Sequence, residues 1–174
     1  MTERTKRRAI VLLIPLLCIV VDQLSKQVAR QRLLGLPTSE HLGGILRIAY
    51  AENPGAFLSL GANLPHELRF VVFTVFVIAL LIGLFVFAWR MADDTPMLVV
   101  VAIALVIGGG VSNLIDRLAN DGRVVDFMQL SLGPLHTGVF NVADVAIMFG
   151  LGLMILALVT QDRSSSRQPE AETD

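Results

Sequence analysis

Four apolar runs, each close to the length that crosses a bilayer, constrain what this chain can fold into. A helix needs ~20 apolar residues to span a hydrocarbon core of ~30 Å, and the runs cover residues 9–29, 68–89, 97–117 and 141–160. The 174-residue chain is 54% hydrophobic, with a mean hydropathy of +0.68, which exceeds the ~45–50% apolar content of ordinary soluble domains. The sequence predicts an all-α integral membrane protein with four transmembrane helices in one domain, residues 1–161. A disordered polar tail is predicted for residues 162–174.

The basic residues at the start indicate how the chain is oriented. Arg4, Lys6, Arg7 and Arg8 precede the first run, and Lys and Arg favour the cytoplasmic side of a membrane. Asp22 follows the run without a small-x-small cleavage site, so the run is predicted to be a retained helix rather than a removed signal peptide. Four spans place both termini on one side, which we expect to be the cytoplasm. The net charge of −1 leaves no broad basic surface, so nucleic acid is not an expected partner.

The first and third connections are long and carry strand signals, whereas the second is a short turn. Glycines punctuate residues 33–67, and the run 45–50 between them indicates a short strand. In the third connection, an Asn-Asp-Gly turn at 120–122 precedes residues 124–132, and a Gly-Pro turn follows. Because successive spans alternate in direction, both long connections emerge on the same side. We therefore expect them to form a small extramembrane β-platform over a pocket at membrane level.

Polar residues that a bilayer disfavours fall at matching ends of three runs. Asp22 closes the first run, Asn113 and Asp116 close the third, and Asn141 and Asp144 open the fourth. If the runs span alternately, all five face the same leaflet, on the side of the long connections. A carboxylate at membrane depth costs at least roughly 3 kcal/mol and is by default a functional-site hypothesis. The pattern predicts a polar site near one membrane surface.

Local structural roles compete with a functional role at several of these positions. Asp22 and Lys26 stand four residues apart, so they share one helix face and can form an ion pair at a helix end. The apolar run before Asp22 covers only ~20 Å, however, so the helix should continue and hold Asp22 inside membrane depth. Asp116 lies toward a helix C-terminus, where the macrodipole disfavours negative charge. We expect Arg117 or Arg123 to offset that charge.

The start of the fourth run also has a structural interpretation. Asn141 and Asp144 fit an N-cap and the third helical position, where their side chains satisfy free backbone N–H groups. The same position would stabilise the ionised form of Asp144. Asp126, by contrast, has apolar neighbours on both sides in sequence, and such a setting should raise the pKa of its carboxyl. Two carboxylates with divergent environments are the arrangement that acid–base catalysis requires.

Other chemistries receive less support from the sequence. His66-Glu67 begins like the helix of a zinc metalloprotease, but Phe70 occupies the place of the second histidine. No serine stands in a Gly-x-Ser-x-Gly turn. Two alternatives without hydrolysis remain open: a small transporter or ion-binding membrane protein, because buried carboxylates also relay protons, and a non-catalytic assembly subunit. A transporter should place polar groups near the midplane, whereas the second run is almost entirely apolar.

Five motifs occur in order along the chain: VDQLSK at 21–26, ENPGAF at 52–57, NLIDR at 113–117, VVDF at 124–127 and FNVAD at 140–144. In this order and spacing they resemble the bacterial lipoprotein signal peptidase family, also called signal peptidase II. The resemblance implies a four-helix inner-membrane aspartyl peptidase, active at the outer leaflet, that removes signal peptides from prolipoproteins. In that family the cut falls just before a cysteine carrying diacylglycerol. Prolipoproteins and membrane lipid are thus the implied partners, no metal or organic cofactor is needed, and we expect a monomer.

The motifs also suggest roles for individual residues. Asp126 and Asp144 resemble the catalytic pair. Eight further residues match positions that bind substrate or support the pair: Asn53, Gly55, Asn113, Asp116, Arg117, Asn141, Asp22 and Lys26. Because two carboxylates that share a site cannot both ionise, one Asp should activate water while the other, expected to be Asp126, holds a proton.

Two departures from the family pattern stand out. Ser112 stands where the family often has Gly. The segment at 53–59, Asn-Pro-Gly-Ala-Phe-Leu-Ser, replaces the more usual Asn-Thr-Gly-Ala-Ala-Phe-Ser. The second change could reshape the first loop and its contacts with substrate or inhibitor, but neither change removes a proposed catalytic group.

Overall fold

The computed structural model describes residues 2–55, 63–91 and 93–165, and within them four helices are long and apolar enough to cross a membrane. Helix α1 covers Glu3–Leu33. The second span joins a short helix α2, His66–Phe70, a π-helical stretch, Val71–Phe76, and helix α3, Val77–Trp89. Helices α4, Met97–Ala119, and α5, Val142–Ser165, complete the set. The predicted four-span architecture is confirmed.

Helix α1 is much longer than its apolar run. It begins at an N-cap, Thr2, whose side chain accepts a hydrogen bond from the Thr5 backbone N–H, and its 31 residues extend ~46 Å at ~1.5 Å per residue. The helix therefore continues past Asp22 by three turns, as the short apolar run predicted. This extension carries Asp22 and Lys26 into the interior of the bundle, where both side chains are buried.

Helix α4 lies at the centre of the bundle and contacts the other three spans through consecutive glycines. Half of its most apolar window is buried within the protein, against 17–28% for the other three spans. A Cβ on Gly108 would lie 2.7 Å from Cys18 Cβ in α1, and one on Gly110 would lie 2.7 Å from Leu81 Cδ2 in α3. A Cβ on Gly109 would overlap the carbonyl oxygen of Ala143 in α5. The triplet thus permits close helix approach, and α4 continues through it without a break.

A four-stranded antiparallel sheet lies at one end of the bundle. Its strands are β1, Ser39–His41, β2, Leu46–Asn53, β3, Val124–Leu132, and β4, Leu135–His136, in the order β1-β2-β3-β4. A 3-10 turn, Leu42–Gly44, joins β1 to β2. Strand β2 comes from the first long connection and pairs with β3 from the third, so the expected β-platform is confirmed.

The pairing register places the start of β3 beside the end of β2. Asn53 is opposite Val124, and Leu46 is opposite Leu130, with a bulge between Ile48 and Ala51. Because β3 begins just after α4 ends, the sheet brings Asn53 to the polar end of the central helix. At the other extreme of the chain, α5 continues to Ser165, beyond the predicted start of the tail, and the remaining tail residues, 166–174, lie outside the described residues.

Candidate active site

Two buried carboxylates meet where strand β3 passes the N-terminus of α5. Asp126 is the third residue of β3, and Asp144 is the third residue of α5. Phe140 fixes the approach of the two segments, because its backbone N–H donates to the Met128 carbonyl at 2.7 Å and its carbonyl accepts from the Met128 N–H at 2.9 Å. This isolated bridge sets the residue that follows, Asn141, beside Asp126.

Asn141 links the two carboxylates directly. Its Nδ2 donates to Asp126 Oδ1 at 2.7 Å, while its Oδ1 accepts from the Asp144 backbone N–H at 2.9 Å. Asp144 Oδ2 accepts from the Asn141 backbone N–H at 3.2 Å, which completes a reciprocal capping box. The N-cap geometry predicted from the sequence is therefore confirmed. The cap and the carboxylate pair are one arrangement rather than competing ones.

Asn113 joins the same network from helix α4. Its Nδ2 donates to Asp144 Oδ1 at 2.9 Å. Its Oδ1 accepts from Lys26 Nζ at 2.9 Å and from Asn141 Nδ2 at 3.1 Å. Two donors at the oxygen leave only one amide orientation that satisfies all partners. Because Lys26 donates to the Asn113 oxygen, the Asn113 NH2 group faces Asp144.

Asn53 and Arg117 enclose the site from the side of the first connection. Asn53 Nδ2 donates to Asp126 Oδ2 at 2.9 Å, and its Oδ1 accepts from the Gly55 N–H at 2.9 Å. Arg117 Nη2 donates to the Gly55 carbonyl at 2.9 Å, and its guanidinium lies 5.9 Å from the centre of the Phe73 ring. The two contacts close a tight turn around Gly55 at the edge of the site.

The environment of Asp126 changes its protonation. The side chain is only 1% exposed, and this burial raises the pKa of Asp126 to about 7, with the nearby charge of Asp144 acting in the same direction. Hydrogen bonds from Asn53 and Asn141 oppose the shift. The sequence predicted the direction of this shift from the apolar neighbours of Asp126.

A cavity of about 320 Å³ opens onto the pair. Asn53, Asn113, Arg117, Asp126 and Asp144 line its polar part. Its apolar part is formed by side chains from the second span and from α5: Phe73, Val77, Ile147, Met148 and Leu151. Such a lining suits a ligand that has polar peptide groups at one part and apolar groups at another.

A second buried cluster lies behind the carboxylate pair, between α1 and α4. Lys26 Nζ lies 2.7 Å from Asp22 Oδ2 and 3.1 Å from Asp116 Oδ2, and all three side chains are at most 3% exposed. The expectation that Arg117 or Arg123 offsets Asp116 is therefore wrong. Arg117 donates to the Gly55 carbonyl, and Arg123 pairs with Glu52 on the surface at 3.1 Å, so Lys26 is the cation in contact with Asp116.

The cluster also fixes the two segments that carry the catalytic candidates. Asp22 Oδ1 accepts from the Ala143 N–H at 2.8 Å, so it caps the first turn of α5 from another helix. Asp116 Oδ2 accepts from the Val125 N–H at 2.9 Å, one residue before Asp126. Each aspartate of the cluster thus positions the residue next to one aspartate of the pair.

Sequence reasoning left two members of this cluster without a role. Ser112 Oγ donates to Asp22 Oδ2 at 2.7 Å, and Gln23 Nε2 donates to Asp116 Oδ1 at 3.0 Å. Their position in the sequence could have indicated a role, because each is a polar residue at membrane depth. Ser112 directly precedes Asn113, and Gln23 directly follows Asp22. In the part of the chain that the structure describes, no group of three or more His, Cys, Asp or Glu side chains is arranged to hold a metal ion.

All ten residues predicted for the site fall into these two connected groups. Asp126, Asp144, Asn141, Asn113 and Asn53 form the first group, which Gly55 and Arg117 border. Asp22, Lys26 and Asp116 form the second. Lys26 connects the two through Asn113.

Comparison with known proteins gives one consistent result. A family model described as signal peptidase (SPase) II matches residues 14–160. The lipoprotein signal peptidase of Moorella thermoacetica is 35% identical over 158 residues, covering 91% of this chain and 98% of that protein. The lipoprotein signal peptidase of Photorhabdus laumondii is 36% identical, covering 79% of this chain and 80% of that protein.

Solved structures agree with the sequence relatives. A bacterial membrane enzyme determined by the in meso method at 2.3 Å resolution superposes with a TM-score of 0.73 at 27% identity, covering 94% of each chain. A second such structure, at 1.9 Å resolution, gives a TM-score of 0.72 at 28% identity, covering 85% of this chain and 91% of that one. With four membrane-spanning helices and a match over most of its length, the chain belongs to the signal peptidase II family, a family of multi-pass bacterial membrane proteases that process prolipoproteins.

Proposed function

We propose that this protein is an aspartic endopeptidase in which Asp126 and Asp144 together activate water. The single observation that carries the proposal is the pair itself: two buried carboxylates from different elements line one cavity, and each accepts a hydrogen bond from Asn141. Like charges that share a buried site cannot both ionise, so the pair holds one proton near neutral pH.

The surroundings of the two carboxylates support a different role for each. Asp144 lies in the first turn of α5, where the helix dipole favours a negative charge, and it accepts hydrogen bonds from Asn113 and the Asn141 backbone. Burial raises the pKa of Asp126 to about 7, and we infer that Asp126 is the member that holds the proton. We therefore assign Asp144 as the general base and Asp126 as the general acid in the first step.

The reaction then proceeds in two balanced steps. Asp144 takes a proton from water as the water oxygen attacks the scissile carbonyl carbon, and Asp126 gives its proton to the carbonyl oxygen. In the second step Asp126 regains a proton from one hydroxyl of the tetrahedral diol. Asp144 gives its proton to the leaving nitrogen as the C–N bond breaks, so both carboxyl groups return to their starting forms.

The substrate that we propose follows from family membership and from the cavity. The chain is a signal peptidase II family member, and the cut would fall just before a cysteine carrying diacylglycerol. The apolar half of the cavity, from Phe73 and Val77 to Leu151, suits a substrate that stays partly in the bilayer. Arg117, through the Gly55 carbonyl, would hold the first connection against that substrate.

We also propose an orientation for the molecule. The basic start of α1, with Arg4, Lys6, Arg7 and Arg8, supports a cytoplasmic N-terminus in the inner membrane. Four spans then place the C-terminus in the cytoplasm and the site at the outer leaflet, and a single chain contains every member of the site. Cysteines introduced at Arg123 and at Asp93 should react with a membrane-impermeant maleimide from opposite sides of the membrane. Labelling of both from one side would contradict the four-span topology.

The test of the catalytic assignment is substitution of each carboxylate by its near-isostere. Asp126→Asn and Asp144→Asn should each lower cleavage of a lipidated precursor by on the order of 10²–10⁴, the usual effect of a positioned acid or base. The double variant should be little worse than either single variant, because the pair acts as a unit. Asp94→Asn, an exposed carboxylate at the other end of the bundle, is the matched control. Near-normal turnover by either single variant in a folded sample would refute the catalytic assignment of the pair. That result is the one expected if the protein were a non-catalytic assembly subunit.

A further inference from the structure

The end of the sheet farthest from Asn53 is formed by two turns that lie side by side. The turn from β1 to β2 precedes Leu46, and Leu46 pairs with Leu130 near the end of β3. The turn from β3 to β4 follows Leu132, and the Ser131 N–H donates to the Ile45 carbonyl at 2.8 Å. Antiparallel pairing therefore brings residues from both turns to one edge of the molecule.

That edge carries large apolar side chains that are exposed in the described part of the chain. Leu42, Leu132 and Leu135 are 74%, 70% and 74% exposed, and Ile45 and Leu130 are 47% and 44% exposed. These five residues, which we call the leucine tip, come from separate parts of the chain. A contiguous apolar patch of this kind on a protein surface marks contact with a membrane or a partner.

A groove of about 420 Å³ lies between the far part of the sheet and helix α5, and its lining is mostly apolar. The residues that line it are Leu130, Thr137, Phe140, Asp144, Val145, Met148 and Phe149. Phe149 lies seven residues after the first residue of α5, which is ~10 Å along the helix axis at ~1.5 Å per residue. Leu130, near the far end of β3, therefore shares a groove with the first two turns of α5, a helix long and apolar enough to cross a membrane.

The groove makes the leucine tip continuous with a surface that faces lipid. Val145, Met148 and Phe149 are 49%, 51% and 61% exposed on a span that crosses the bilayer. Leu130 and Phe140 connect that surface to the tip, and Asp144 is the charged residue among those that line the groove.

Charges near the tip are arranged as they are at a membrane interface. The nearest ion pair, Arg47 with Glu40 at 3.0 Å, lies on the strands behind the tip, and the pair is neutral as a unit. His41 and His136 flank the turns, and both make hydrogen bonds with neighbouring groups of the sheet. Polar side chains that lie next to apolar ones are typical of the headgroup region of a membrane, where the apolar groups contact lipid and the polar groups contact water.

We propose that the leucine tip inserts into the leaflet on the sheet's side of the membrane and anchors the sheet to lipid. The occupant is the acyl-chain surface of the bilayer itself, continuous with the lipid-facing side of α5. Because β3 also carries Asp126, the anchored strand holds that carboxyl at a fixed depth near the lipid–water boundary. The proposal depends on the four-span fold and not on the catalytic assignment.

Fluorescence quenching from two sides tests the insertion. In a Trp89→Phe background, tryptophan is introduced at Leu132 or Leu135, and Arg123→Trp is the control because Arg123 directly precedes the same strand that Leu132 ends. In phosphatidylcholine vesicles brominated on the acyl chains, the Leu132→Trp and Leu135→Trp proteins should lose severalfold more fluorescence than Arg123→Trp. Aqueous iodide should give the reverse order.

Two other outcomes would overturn the proposal. Strong quenching of the tip tryptophans by iodide would place the tip in water. Protection from both quenchers would show that protein, such as a second copy, covers the tip.

A second measurement guards against loss of folding in the Trp89→Phe background. Single cysteines at 132, 135 and 123 in a Cys18→Ala protein are labelled with a nitroxide. Relaxation should respond to oxygen at the first two sites and to a water-soluble nickel complex at the third. Cleavage of a lipidated precursor by each labelled protein establishes that the sample is folded, and equal nickel access at all three sites would refute insertion.

Discussion

Replacing Lys26 with methionine should destabilise this protein more than any single change on its surface. Lys26 is 2% exposed and lies between Asp22 and Asp116, at 2.7 and 3.1 Å. Methionine keeps most of the apolar stem and removes only the charge. Two carboxylates then remain buried without their cation, and the Asn113 oxygen loses one of its two donors.

The size of the effect follows from these distances. At an effective dielectric constant of ~20, unit charges attract by ~6 kcal/mol at 2.7 Å and by ~5 kcal/mol at 3.1 Å. Desolvation of the three groups offsets most of that attraction, and breaking a buried pair from one side costs about 3–5 kcal/mol in practice. A loss of this size is a large part of a total stability of ~5–15 kcal/mol.

The assay is equilibrium unfolding in one detergent, compared with a control from the same helix. Lys6 also lies 2.7 Å from a carboxylate, that of Glu3, but both side chains are about half exposed. Lys6→Met should therefore leave unfolding unchanged, because solvent and salt screen exposed pairs. The contrast isolates burial, since the ion-pair distance is the same.

A triple variant separates charge from packing. Adding Asp22→Asn and Asp116→Asn to Lys26→Met removes every charge from the cluster, while the amide oxygens can still accept from Ala143 and Val125. Part of the lost stability should return, as a positive coupling in the thermodynamic cycle. The reasoning is refuted if Lys26→Met costs less than about 1 kcal/mol, the upper range for an exposed pair.

Three further predictions concern the pair, the glycines and the arginine. The folded-state pKa of Asp126 is about 7, whereas its unfolded value is ~3.9. Its contribution to stability is therefore full below pH ~4 and is lost as pH rises through 7. The melting temperature of the wild type should fall over this pH range, and that of Asp126→Asn should not. Gly109→Ala should cost ~1–3 kcal/mol by overpacking against α5, whereas Gly83→Ala, with open space around it, should be neutral or stabilising in the same detergent melts. Arg117→Ala should reduce cleavage more than Arg30→Ala, because it releases the Gly55 turn, and equal rates would remove Arg117 from the site.

Local periodicity made several features readable from the sequence. Apolar runs of bilayer length determine the number of spans, and the Asn-Asp-Gly and Gly-Pro turns bound β3. The spacing of four between Asp22 and Lys26 fixes their pairing, because residues i and i+4 share a helix face. The cap formed by Asn141 and Asp144 is likewise a property of one helix end.

The tertiary structure decided which groups meet across the bundle. Helices α1 and α4 pack closely at Gly108. In this packing Lys26 of α1, rather than Arg117, contacts Asp116 of α4. The same packing gives Ser112 its role with Asp22. Contacts between residues some ninety positions apart depend on how helices rotate and how deeply they pack, and the pattern of any single helix does not contain that information. The sequence by itself therefore determined the spans, the two longer strands and the candidate aspartates, whereas the pairing of charges across the bundle arose from the packing of the helices.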